Sequence, residues 1–130
     1  MELVNKLNLI DNVAIIRGFQ TEETLNSYFK TNQAALFPYT SDKEHEVFGS
    51  SGAARIAMHK GLPVITSSGN HFIDIPSIKA DTPFEMAKEL DKLFSNKEHY
   101  NKQLISQNKF LEVNSWKSVA LQYIKLFENP

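Results

Sequence analysis

Cysteine is missing from all 130 residues of this chain, which excludes a disulfide framework, a thiol nucleophile and a cysteine-based zinc site. Long apolar runs are missing too. None approaches the ~20 residues a membrane-spanning helix needs, and the first residues lack the apolar core of a signal peptide. Neither charge is in excess: 14 Lys and Arg stand against 15 Asp and Glu, a formal net charge of -1. A dedicated nucleic-acid binder would carry a basic face, so nucleic acid is not an expected partner. The composition is that of a soluble, cytoplasmic protein without a transmembrane segment. At 42% hydrophobic residues there is enough apolar chain for a core, and residues 1–130 read as one domain or part of one.

What is present alternates between short strands and helices. Met1 to Leu9 reads as the end of a helix, with Leu3, Val4 and Leu7 at helical spacing. Val13-Ala14-Ile15-Ile16 is a continuous apolar run bounded by Gly18, the pattern of a strand buried on both faces. Thr21 is placed to cap a helix whose first turn carries Glu22 and Glu23. Ala34 to Phe37 reads as the next strand, and residues 39–48 as a polar loop. A helix from about Ser51 to Lys60 follows, stopped by Gly61 and Pro63. Val64-Ile65 opens another strand, and Ile78-Lys79-Ala80 is a short further one.

The remainder is helical. Thr82-Pro83-Phe84-Glu85 is a capping box with proline at the first helical position, and Phe84, Ala87, Leu90 and Phe94 form the expected buried stripe. Ser95-Asn96-Lys97-Glu98 reads as a second capping box, opening a helix to about Val113. Ser115 caps a third, in which Trp116, Val119, Ala120, Tyr123, Ile124 and Phe127 lie at helical spacing, most simply as core residues. The fold class expected is α/β: a partial Rossmann-like parallel sheet of three to four strands with flanking helices and a helical C-terminal tail. A complete doubly wound domain has more strands, so the chain reads as the second half of one.

Several segments resemble the C-terminal domain of GT-B-fold glycosyltransferases, especially the retaining group known as family 4. They are Asp11-Asn12-Val13 leading to Arg17-Gly18-Phe19, Ala34-Ala35-Leu36-Phe37-Pro38-Tyr39, and Gly52 through Ile65, where Ala57-Met58 and Gly61-Leu62-Pro63-Val64-Ile65 match best. Ser115-Trp116 and the final helix are similar to the family's closing segment; its last helices also touch the N-terminal domain, so the resemblance implies that part of the Trp116 to Phe127 stripe is exposed here as an interface without its partner. The resemblance implies a donor-binding half-enzyme of hexosyltransferase type. It would take a nucleotide sugar as substrate, and an acceptor-binding N-terminal domain or partner chain would complete it. Neither a metal nor another cofactor is expected, since such enzymes stabilise the leaving diphosphate with a helix start and basic side chains. Two departures stand out. Phe48 and Ile56 occupy the positions where the family carries donor-gripping glutamates, and neither can accept a hydrogen bond from a sugar hydroxyl. The family's first phosphate-binding strand and its acceptor domain are not in this chain, so by itself it is expected to be inactive.

The donor-phosphate candidates are Arg17 and Gly18 after the first expected strand, and Gly49, Ser50, Ser51, Gly52 and Ala53 at the helix start. Small residues admit a ligand close to the backbone, and the helix start carries partial positive charge. The plainer reading is that Ser51 caps the helix, the glycines make a turn, and Arg17 pairs with an acid. Arg55 and His59 share a helix face and read as solvated. Glu44-His45-Glu46 lacks a second histidine at metal-ligand spacing, and His71 is a loop histidine without an identified partner. No catalytic base is identifiable. The alternative function is a non-catalytic half-Rossmann module that forms homo-oligomers or pairs with another protein.

Overall fold

A computed structural model describes residues 2–39 and 50–128. In chain order the elements are α1 (Glu2–Lys6), α2 (Glu22–Thr31), β1 (Ala35–Phe37), α3 (Gly52–His59), β2 (Val64–Thr66), β3 (Ile78–Lys79), α4 (Pro83–Ser95), α5 (Lys97–Val113) and α6 (Trp116–Glu128), with a 3-10 turn at Asn70–Phe72. The three strands form one parallel sheet in the order β1-β2-β3. Ala35 is opposite Val64, and Ile65 is opposite Ile78. The protein is therefore mixed α/β, as its pattern indicates. Among the described residues no helix is long and apolar enough to cross a membrane.

Side-chain alternation along β2 divides the core between the two sheet faces. Val64 packs with Ala54, Ala57 and Met58 of α3 and with Phe72 and Ile75 of the loop beyond β2. Ile65 points the other way, into Ala80 and the α4 residues Met86 and Leu93. The long helix α5 reaches both clusters, through Phe110 on the first and Tyr100 on the second. All three residues of β2 are buried, as a central parallel strand requires.

Local chemistry sets the helix boundaries. Thr21 accepts the Thr24 N–H at 3.2 Å and starts α2. At the end of α3, Gly61 takes φ +81°, a left-handed conformation that suits glycine. The Gly61 N–H donates to Met58 O at 3.0 Å and the Leu62 N–H to Ala57 O at 3.1 Å, the paired bonds of a Schellman stop. Thr82 and Glu85 complete a reciprocal capping box on α4.

Four sequence expectations are corrected. Val13 to Ile16 forms no strand; the segment is exposed, without a sheet partner among the described residues. A four-residue apolar run becomes a strand only where a neighbouring strand takes its hydrogen bonds. On α4 the buried stripe is Met86 and Leu93, while Phe84 is 78% exposed and Phe94 also faces out. The helix carries apolar residues on more than one face, and the face that meets Ile65 and Ala80 is buried. Helix α5 is capped by Asn96, whose Oδ1 accepts the His99 N–H at 3.0 Å, while the Ser95 hydroxyl turns back to Asp91 O at 2.6 Å. Finally, α6 has no buried residue, and Trp116, Tyr123, Ile124 and Phe127 lie exposed. Helical spacing creates an apolar stripe there but no surface to cover it.

Candidate functional site

In a parallel sheet the loops after the strands gather at the carboxyl edge, where α/β ligands bind. Helix α3, the crossover from β1 to β2, starts at that edge. Ser51 is its N-cap, 9% exposed, accepting the Ala54 N–H at 3.3 Å and donating its own N–H to His71 O at 3.1 Å. The next two amides, of Gly52 and Ala53, have no acceptor within the helix, because the first turn never does. Among the described residues a side chain at Gly52 would meet nothing within 4 Å, which leaves room beside its backbone.

The helix start is not free of negative charge. Arg55 forms an ion pair with Asp74, from the loop after β2. The Ser50 hydroxyl joins them, accepting from Arg55 Nε at 2.6 Å and donating to Asp74 Oδ2 at 3.3 Å. The Arg55 guanidinium also sits 5.2 Å from the centre of the Phe110 ring. Reading Arg55 as a solvated side chain is therefore corrected. A residue 19 positions along the chain supplies its partner, and no local pattern announces such a pair. Ser50 and Arg55, the two side chains best placed to receive a phosphate, are both held by Asp74.

Beside this cluster the sheet edge is covered by aromatic rings. The Tyr39 ring lies 5.0 Å from Phe72 and 5.7 Å from His71, so His71 has both a ring neighbour and a structural task through its carbonyl. Lys79, at the end of β3, donates to Phe72 O at 2.6 Å, Ser77 Oγ at 2.8 Å and Thr66 Oγ1 at 3.2 Å. All three ammonium protons are thus engaged in holding the Asn70–Phe72 turn on the sheet. Burial pushes the Lys79 ammonium below the ordinary lysine range, against the opposing fields of Asp74 and Asp81. On the far side Asp81 accepts the Ser68 N–H at 2.6 Å and the Ser68 hydroxyl at 2.8 Å. Those bonds, the backbone one first, hold its carboxyl below the usual range.

The sequence candidates are only partly brought together. Ser50, Ser51, Gly52 and Ala53 share the start of α3, whereas Gly49 lies outside the described residues, as do Phe48 and Glu44-His45-Glu46. Arg17 and Gly18 are on the exposed connection before α2. Their hydrogen bonds are those their carbonyls accept from the Gln20 side chain, each at 3.2 Å. Ile56 lies on the outer face of α3, 51% exposed. Among the described residues no three His, Cys, Asp or Glu side chains gather to hold a metal ion. The residues that sequence reasoning missed are Asp74, Tyr39 and Lys79. The one available signal was that Tyr39 and Lys79 sit within two positions of a strand's carboxyl end; Asp74, in the middle of the loop between β2 and β3, carried none. Comparison with protein-family models, curated proteins and solved structures returned no match.

Proposed function

We propose that this chain is a donor-binding half of a GT-B-type glycosyltransferase, receiving the diphosphate of a nucleotide sugar at the start of α3. A separate acceptor-binding domain or chain would complete the enzyme. The observation that supports this reading most is the opening of α3 at the carboxyl edge of a parallel sheet, with the Gly52 and Ala53 amides unsatisfied by the helix and, among the described residues, nothing within 4 Å of a side chain placed at Gly52. Ser50 and Arg55 would turn from Asp74 to the phosphates. The exposed Arg55–Asp74 pair contributes at most about 1 kcal/mol, so a dianionic ligand can displace it. No general base is identified, and the chain alone is expected to be inactive.

Calorimetric titration with uridine, guanosine and adenosine diphosphates tests this. One of them should bind, and Asp74→Asn should tighten binding about fivefold by removing a like charge worth about 1 kcal/mol at contact distance in water. Absence of binding by all three, in both proteins, would refute the proposal. The second reading is a non-catalytic module that self-associates or docks on another protein. It is favoured by Asp74 already occupying the helix-start side chains and by the uncovered apolar stripe of α6. Concentration-dependent association without nucleotide binding would select it.

A further inference from the structure

A second surface lies along the outer face of α3, on residues that, Arg55 apart, the donor reading does not use. Ile56, His59 and Lys60 form part of a cleft of ≈ 640 Å³, to which α2 contributes Leu25 and Phe29 and the α5–α6 corner Phe110 and Trp116. Clefts of roughly 300–1,000 Å³ with apolar lining and a few polar groups are the usual form of small-molecule sites. The apolar floor is left to solvent, with Ile56 at 51% and Trp116 at 91% exposure. Asn26, His59 and Lys60 also line the cleft, and among the described residues no hydrogen bond or ion pair engages their side chains. Arg55 at its upper end is neutralised by Asp74, which leaves Lys60 as the cation facing the cleft. Glu22, the acid of the lining, belongs to the first turn of α2, where the helix dipole attracts it.

We propose that this cleft binds a small amphipathic anion: an acyl or aryl body with one carboxylate. The body covers Phe29, Ile56 and Trp116, and the carboxylate meets Lys60, with Asn26 and His59 as hydrogen-bonding neighbours. The proposal is independent of the nucleotide site, because a chain that binds no nucleoside diphosphate still carries this cleft.

Trp116 is the sole tryptophan of the chain and reports directly. Its emission is followed during titration with dodecanoate below the micelle concentration, with dodecyltrimethylammonium as the charge-reversed control. The expected result is a saturable blue shift with dodecanoate and binding at least about tenfold weaker for the cationic chain. Lys60→Glu should weaken dodecanoate binding by roughly tenfold, and Ile56→Asp should abolish the shift. Both positions are exposed, so the far-UV circular dichroism of each variant should match the parent. A shift that fails to saturate, equal binding of the two chains, or unchanged affinity in either variant overturns the proposal. So does a blue shift that appears on raising protein concentration alone with dimer formation by light scattering, which would make a second copy the occupant.

Discussion

Gln107 offers the sharpest test of how this fold is held together. It lies in α5 with 0% exposure, an unusual place for an uncharged polar side chain. Its Nε2 donates to Leu62 O at 2.8 Å, and its Oε1 accepts the Val64 N–H at 2.9 Å. Gln103 Nε2 bridges from Gln107 Oε1 at 2.9 Å to Pro76 O at 2.6 Å. One side chain thus satisfies the two backbone groups on either side of Pro63, before the pairing of β2 with β3 begins at Ile65. Gln107→Leu preserves volume and leaves two buried backbone groups unpaired. At about 1–3 kcal/mol each, less what is recovered by not burying the amide, the expected loss is about 3 kcal/mol. That is a large share of a domain's ordinary stability. Urea unfolding followed by far-UV circular dichroism measures it, with the midpoint falling and the slope unchanged. Gln107→Glu adds a diagnostic. A protonated glutamic acid can still donate to Leu62 O, but the carboxylate cannot, and burial raises its pKa. That variant should therefore lose stability relative to the parent as pH rises from the acid range to neutrality. A Gln107→Leu variant within about 0.5 kcal/mol of the parent, the usual effect of an inconsequential surface substitution, would refute the reasoning.

Three other outcomes follow from the same structure. Gly61→Ala forces a side chain into φ +81° and should cost about 1–2 kcal/mol, read as a lower melting midpoint, despite the open space around it. Thr82→Ala removes the acceptor for the Glu85 N–H, 3.1 Å away, and should cost about 1 kcal/mol in urea unfolding. Asp81 and Glu85 are both held below the ordinary carboxylate range by hydrogen bonds, to Asp81 first from the Ser68 backbone and to Glu85 first from the Asp81 backbone. A depressed folded pKa contributes stability that is present above the unfolded value, about 4, and lost as pH falls through the folded one. The stability gap between the parent and Asp81→Asn should therefore narrow on acidification below that range. A gap constant with pH would assign Asp81 no ionisation-linked role.

The start of the candidate site was legible in the sequence, and its electrostatics were not. Ser51 before Gly52 announces a helix cap and an open backbone whatever surrounds it, because both properties belong to neighbouring peptide units. Asp74 is 24 residues from Ser50, and its arrival depends on how the loop after β2 settles on the sheet. That loop is held by Lys79 and by the tilted contact between the Tyr39 and Phe72 rings, and the ring contact joins segments distant in sequence. Lys79 itself reads as an ordinary surface lysine until its three acceptors are seen together.

The sequence by itself determined where α3 stops and where α4 begins. Each follows from glycine conformation or reciprocal capping, interactions over a few residues. Only the tertiary structure decided that Met86 and Leu93 rather than Phe84 and Phe94 are buried on α4, that Val13 to Ile16 stays outside the sheet, and that Gln107 belongs in the core. Apolar spacing states that a face can be buried. Which face is buried depends on the surface it meets, and a strand exists only when a second backbone is beside it to complete the hydrogen bonds.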